Sequence, residues 1–139
     1  ALYAQGENLH VAVWPGGDHN TKDITRFVAR ESRSFMVSVS SLMRKIDFPA
    51  DTPYLKELLE NAPDILANGG SAIAGPNGEW LVPPIIEKEG VFCHTLNLDR
   101  VYEERQNFDP VGHYSRPDVT QLSINRERHT TLTIKANEK

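Results

Sequence analysis

The pair Cys93–His94 is where residue types alone suggest nucleophilic chemistry. A thiol becomes a nucleophile when a neighbouring base or cation lowers its pKa. The surrounding segment VFCHTLN is typical of a strand, and successive strand side chains point to opposite faces, so His94 is poorly placed as a base for Cys93. No cation or helix N-terminus is predicted beside it. We therefore predict that Cys93 is a buried structural thiol.

The cysteine, histidine and glycine residues do not have the spacing of a metal site or a phosphate-binding loop. Cys93 is the single cysteine, which excludes an internal disulfide and a multi-thiolate zinc site within one chain. No two histidines are four residues apart, the spacing that places both rings on one helical face, and no complete phosphate-binding glycine loop is present. The sequence therefore predicts no metal and no cofactor. The histidines are His10, His19, His94, His113 and His129.

Two strand ends supply candidates for a binding pocket. The apolar runs Leu9–Val13 and Phe35–Val39 are each followed by residues that could shape a pocket, because ligands gather at the carboxyl ends of strands in α/β proteins. A tryptophan beside a Pro-Gly turn is also often simply packed, so both interpretations of Trp14 stay open. The candidate wall residues are Trp14, Pro15, Ser40 and Ser41.

An alternating α/β unit positions these strand ends. Their length and β-branched residues favour buried strands for both runs. A helix capped by Asn20 or Thr21 is predicted between them, ending near Arg33. Strand, helix and strand within roughly 30 residues is the spacing of such a unit.

A hairpin and several shorter elements follow. Asn77–Gly78 between two β-rich runs, Gly70–Pro76 and Glu79–Pro83, predicts a tight turn. Prolines between Ser40 and Pro63 indicate a loop. The other predicted elements are a short helix over Tyr54–Glu60 in that loop, a strand over Val91–Leu96, a helix over Asp99–Gln106 and a strand over Val119–Ile124.

The composition is that of one globular domain. The chain has 139 residues, of which 39% are apolar and 24% charged, and a formal net charge of −4. The negative charge argues against a nucleic-acid-binding surface. No apolar run approaches the roughly 20 residues that span a bilayer, and the first residues lack a signal-peptide pattern. We expect a cytoplasmic protein without nucleic-acid or membrane partners.

Four ordered segments carry a family resemblance. They read LYAQGENLHVAVWPG, VARESRSFMVSVSSLMRK, DILANGGSAIAGPNGEWLVPP and RQNFDPVGHYSRPDV. Together they resemble the C-terminal half of the nitrilases, a branch of the carbon-nitrogen hydrolases. The similarity extends from about Leu2 to about Asn125, so residues 1–125 are expected to form that half and residues 126–139 a polar tail.

The resemblance implies an α/β fold, the C-terminal part of a four-layer αββα sandwich, and conversion of a nitrile to a carboxylic acid and ammonia. This chemistry requires a thiolate, a carboxylate and a cation, which the family supplies as cysteine, glutamate and lysine. The resemblance places all three before the matched region, the cysteine in a CWEN-like sequence shortly before Ala1. We expect no catalytic residue in this chain, and turnover of a small nitrile only together with the missing N-terminal half or a partner subunit.

Strands that are apolar throughout require cover on both faces. If helices cover one face, the other needs a second sheet, and an uncovered apolar surface promotes association. We therefore expect a homo-oligomer rather than a stable monomer. One interpretation is a fragment of a nitrilase-like enzyme, and another is a non-catalytic assembly or interaction module derived from the nitrilase fold. An unrelated small α/β binding protein is a third, which the four ordered matches disfavour.

Overall fold

The computed structural model describes residues 1–127 and 130–132 and contains a mixed sheet with a long helix on one face. The strands are β1 (Leu9–Trp14), β2 (Phe35–Ser40), β3 (Leu42–Arg44), β4 (Ile65–Ala74) and β5 (Trp80–Ile86). The helices are α1 (Asp18–Ser32), α2 (Leu55–Leu59) and α3 (Asp99–Asn107). The α/β fold class predicted from the sequence is confirmed.

The strand–helix–strand unit lies at one side of the sheet. β1 and β2 pair in parallel from Leu9 opposite Phe35 to Trp14 opposite Ser40, and α1 forms the crossover. β2 and β3 pair in succession with β4 in antiparallel orientation, while β5 pairs with β4 as the second arm of the hairpin. The carboxyl ends of β1 and β2 therefore lie side by side.

One face of the sheet is packed against α1, and we call it the helix face. Its core is formed by Ala29 of α1 together with Met36 and Ala74 of the sheet, each at most 1% exposed. The small side chains of Ala29 and Ala74 let the helix approach the strands closely. Ala12, Trp14, Val28 and Trp80 pack around this cluster.

The opposite face, which we call the open face, has little cover among the described residues. Its strand residues are Val11, Val13, Val37, Val39 and Ile73. Val11 is 59% exposed, Val13 77% and Val39 44%. The sequence predicts this outcome for apolar strands with a helix on one side only. An apolar surface of this kind normally packs against a second layer.

The hairpin holds α1 from the side. Arg26 Nε donates a hydrogen bond of 2.8 Å to the Gly78 carbonyl, and its guanidinium lies 5.7 Å from the centre of the Trp80 ring. The turn itself spans Gly75 to Gly78, with Pro76 at its second position and a positive φ of 80° at Gly78. Pro76 and Asn77 are therefore the central residues of the turn, and Pro76 can take only a negative φ, which excludes a turn with positive φ at both central positions. The left-handed conformation is found at the next residue, Gly78, and not at Asn77.

Two predicted strands are wrong. Residues 91–97 and 119–124 have no strand structure, and Val91 is 92% exposed. The prediction of a buried Cys93 fails with the first of them, because Cys93 is exposed. Alternating polarity produces a strand only where a neighbouring strand offers hydrogen bonds, and these segments have none in the part of the chain that the structure describes.

The remaining differences concern bounds and one missed strand. α1 begins at Asp18 rather than after Asn20 or Thr21, and β3 lies within the segment predicted as a loop. The short helix and α3 occur where predicted, within one residue at either end. Of the predicted polar tail, residues 128–129 and 133–139 lie outside the described residues. None of the described helices has the length and apolar character needed to cross a bilayer.

Candidate functional site

The structure brings together two of the predicted wall residues. Trp14 and Ser40 are direct partners in the parallel ladder, and both lie on the helix face at the carboxyl ends of their strands. The Trp14 indole Nε1 and the Ser40 Oγ are buried without a hydrogen-bond partner within residues 1–127 and 130–132. Leaving such groups unpaired costs about 1–3 kcal/mol each. They are therefore polar groups available to a ligand, a water molecule or another part of the protein.

Trp14 both packs and borders a cavity. Its side chain joins the core cluster and also lines a cavity of about 390 Å³ beside β1, together with Tyr3, His10 and Ile24. The packing interpretation of Trp14 is confirmed, and its role as the wall of a substrate pocket stays a prediction. The cavity walls are mainly apolar, and Trp14 Nε1 is a buried, unpaired polar atom of one of the residues that line them.

Tyr3 lines the same cavity and has a perturbed ionisation. Its hydroxyl donates a hydrogen bond of 2.9 Å to Glu31 Oε2. Burial, and then the hydrogen bond to Glu31, raise the pKa of Tyr3 to about 12. Both effects favour the neutral phenol, since the phenolate would be desolvated and would face a carboxylate.

We expect Tyr3→Phe to remove an ionisation step near pH 12 from an ultraviolet titration of phenolate absorbance. The folded pKa lies above the unfolded value of about 10, so the stabilisation linked to Tyr3 is complete below about pH 10 and is lost as the pH rises through about 12. Glu31→Gln is the matched variant, which should lower the pKa of Tyr3. If Tyr3→Phe instead removed an ionisation step near pH 10, the ordinary value for tyrosine, this assignment would be contradicted.

The other two predicted wall residues are more exposed. Pro15 follows β1 and Ser41 separates β2 from β3, and both side chains face solvent. The Ser41 carbonyl accepts a hydrogen bond of 3.2 Å from the Gly69 amide, which ties this junction to β4. Pro15 and Ser41 therefore flank the Trp14–Ser40 pair without joining its buried surface.

Sequence reasoning missed two polar residues of β4 that contact the same region. Ser71 Oγ accepts a hydrogen bond from the Ser40 amide at 3.0 Å and donates one to the Ser40 carbonyl at 3.3 Å. Asn68 Oδ1 accepts a hydrogen bond from the Asp18 amide at 2.9 Å, and its Nδ2 donates one to Asp18 Oδ1 at 2.7 Å. The available signal was a pair of polar residues flanking Gly69–Gly70 inside a strand, where glycine marks close backbone approach.

The strand ends carry hydrogen-bonding groups but no cysteine thiol. Cys93 lies in the exposed segment after Phe92, and Phe92 borders a cavity on the open face with Val37 and Val39. Trp14 and Ser40 lie on the other face of the sheet. In the described part of the chain, no three acidic, histidine or cysteine side chains come together to hold a metal ion. The arrangement can shape a pocket and donate hydrogen bonds to its contents.

Comparison with known proteins gives clear sequence relatives. Nitrilase 2 of Arabidopsis thaliana is 35% identical over 137 residues, which cover 96% of this chain and 40% of the plant protein. An aliphatic nitrilase of Rhodococcus rhodochrous is 32% identical over 145 residues, which cover 94% of this chain and 38% of the bacterial protein. The chain thus spans about two fifths of the length of these relatives. No protein-family model matches it.

A solved structure confirms the fold. The crystal structure of a carbon-nitrogen hydrolase from Helicobacter pylori G27 superposes with a TM-score of 0.60 at 16% sequence identity. The match covers 84% of this chain and 40% of that chain. At this identity the likeness concerns the arrangement of strands and helices.

Proposed function

Because this chain belongs to the nitrilase family and corresponds to the C-terminal part of its members, we propose that it is the scaffold portion of an enzyme that hydrolyses nitriles to carboxylic acids and ammonia. The observation that carries the proposal is sequence similarity to nitrilases along nearly the whole chain. In this proposal the thiolate, the carboxylate and the ammonium group come from residues outside this chain.

The position of Cys93 supports an external nucleophile. A catalytic thiolate needs a nearby cation, base or helix N-terminus that stabilises it, within a pocket that excludes water. Cys93 is exposed on a segment without regular secondary structure, and its neighbour Phe92 lies against the open face. The proposed pocket residues Trp14 and Ser40 lie on the helix face. Cys93 therefore lacks the surroundings of a nucleophile and does not share the face of the proposed wall.

This chain contributes one wall of the substrate pocket in the proposal. The Trp14 indole offers a flat apolar surface to the group that carries the nitrile, while Trp14 Nε1 and Ser40 Oγ offer hydrogen bonds. Pro15 and Ser41 extend this wall toward solvent. Holding the nitrile carbon near the thiolate is worth several kcal/mol of the barrier, so wall residues affect both binding and rate.

The sheet itself calls for further protein. The six residues of β1, LHVAVW, contain neither charge nor proline, the features that normally protect a sheet edge from pairing. A strand that pairs in parallel usually lies inside a sheet with both faces covered. We infer that the rest of the enzyme, or a partner subunit in a homo-oligomer, pairs with β1 and supplies the second sheet over the open face. The result is the four-layer sandwich.

The test measures ammonia release from aliphatic and aromatic nitriles by the protein at its natural length and by residues 1–139 alone. We expect turnover by the first and none by the second, because the proposed nucleophile lies outside this chain. Cys93→Ala should leave turnover unchanged. Replacement of a cysteine in a CWEN-like sequence preceding this chain should reduce turnover by several orders of magnitude.

Two results would reject the proposal. Absence of ammonia from every nitrile, with a folded natural protein, would favour the non-catalytic assembly module. Loss of turnover in Cys93→Ala would instead show that the nucleophile lies in this chain and that the exposed position of Cys93 changes in the complete enzyme.

A further inference from the structure

We propose that Asn68 and Ser71 of β4 are positioning residues for the pocket wall formed by Trp14 and Ser40. The inference rests on the proposed function, which it deepens by naming the groups that hold the wall in place. Each residue acts through a segment that follows or forms one of the two strand ends. Neither is assigned a contact with substrate.

Asn68 fixes the segment that follows Trp14. Its amide group makes two complementary hydrogen bonds to one residue, accepting from the Asp18 backbone and donating to the Asp18 carboxylate. Asp18 is the first residue of α1, so its amide has no acceptor within the helix. Asn68 thus caps α1 from a strand 50 residues away in sequence. Asn68 therefore holds the α1 end of the connection from Trp14, whose other end is fixed by the pairing of Trp14 with Ser40.

The packing around Asn68 leaves this junction little freedom. A Cβ added at Gly17 would collide with the Asn68 side chain, and one added at Gly70 would lie 2.8 Å from Asp18 Cβ. The start of α1 is therefore pressed against β4 on both sides of the hydrogen bonds. Loss of the Asn68 side-chain amide would remove both its hydrogen bonds to Asp18 and its contact with Gly17, and would let the start of α1 move relative to β4.

Ser71 fixes the other wall residue directly. Its hydroxyl bonds to both the amide and the carbonyl of Ser40, from a position 31 residues away. These two bonds set the backbone orientation at Ser40 and so the direction of Ser40 Oγ, which has no partner of its own in the described residues. Asn68 and Ser71 are three residues apart on one strand, so β4 holds both halves of the wall.

A shift of the wall should weaken substrate binding more than it slows chemistry at a nucleophile located elsewhere. For Asn68→Ala and Ser71→Ala in the protein at its natural length, we expect KM for a nitrile to rise about tenfold and kcat to fall less than about threefold. The matched control is Asn77→Ala in the hairpin turn, where the side chain bonds to Glu79 and, among the described residues, to neither Trp14 nor Ser40. It should leave both constants unchanged.

Asn68→Asp gives a signature that general destabilisation does not produce. The new carboxylate still accepts from the Asp18 amide but faces Asp18 Oδ1 without a proton to donate. Two carboxylates in this position share a proton at low pH, which restores the second hydrogen bond. The ratio of kcat/KM in Asn68→Asp to that of the natural protein should therefore rise as the pH falls.

A spectroscopic measurement separates this inference from the proposed function. The protein is labelled with 5-fluorotryptophan, and the fluorine resonance of Trp14 is assigned by its loss in Trp14→Phe. We expect this resonance to shift or broaden in Asn68→Ala and to stay in place in Asn77→Ala. This readout needs no substrate, and Asn68→Asp provides it if Asn68→Ala fails to fold.

The outcomes are distinct. A natural protein that hydrolyses no nitrile rejects the proposed function, and the fluorine resonance then decides the positioning role alone. A resonance of Trp14 that is unchanged in both Asn68 variants overturns the positioning role, as does an active enzyme in which KM is unchanged in Asn68→Ala and Ser71→Ala.

Discussion

Gly70→Ala is expected to lower the free energy of unfolding of the natural protein by about 3–5 kcal/mol. Gly70 has a φ of +104°, which L side chains rarely adopt, and an added Cβ would lie 2.8 Å from Asp18 Cβ and 2.9 Å from Asp18 Cα. A helix backbone cannot move aside as the end of a flexible side chain can. The substitution therefore adds backbone strain to overpacking at the start of α1.

Gly6→Ala is the matched control for this prediction. Gly6 also has a positive φ, +75°, but nothing lies within 4 Å of an added Cβ. Its substitution should cost only about 1 kcal/mol, the strain of the left-handed conformation. Urea unfolding of both variants gives the comparison. Equal losses would show that backbone strain alone determines the cost at Gly70.

Val13→Lys on the open face is expected to reduce self-association of residues 1–139 and to destabilise the natural protein. In residues 1–139 alone it should reduce self-association, because a charge interrupts the exposed apolar surface on which Val13 is 77% exposed. In the natural protein it should lower the free energy of unfolding by more than about 3 kcal/mol. A second sheet packed on this face would bury the ammonium group without a partner.

Val91→Lys is the control, since Val91 is 92% exposed on a segment outside the sheet. It should change the free energy of unfolding by no more than about 0.5 kcal/mol and leave the association state of residues 1–139 unchanged. Sedimentation gives the association state and thermal unfolding gives the stability. A stable natural protein carrying Val13→Lys would mean that the open face stays in water, against the proposed sandwich.

The accuracy of sequence prediction follows the range of the interactions involved. β1, α1 and β2 are determined by local periodicity and breakers, and they occur where the sequence predicts them except that α1 begins earlier, at Asp18. The segment around Cys93 has strand-like alternation but no partner strand, and whether a partner exists is a tertiary property. That is why both its predicted strand and the predicted burial of the thiol are wrong.

The candidate site was predictable only in part, for the same reason. Trp14 and Ser40 follow from a general rule about strand ends, and their adjacency follows from parallel pairing. Asn68 and Ser71 act across 50 and 31 residues. A single sequence shows two polar residues beside a glycine pair, and only the folded chain shows which backbone groups they bind.

The attachment of α1 to the hairpin at both ends also imposes an order on folding. Two of the bonds that fix this helix, from Asn68 to Asp18 and from Arg26 to Gly78, join residues 50 and 52 positions apart. Such distant contacts require a large loop to close and form late. During synthesis, β1, α1 and β2 emerge before Asn68 and Gly78, so α1 can pack on its two strands before the hairpin adds the bonds to Asp18 and Arg26. The hairpin completes the unit when it adds these two bonds to α1.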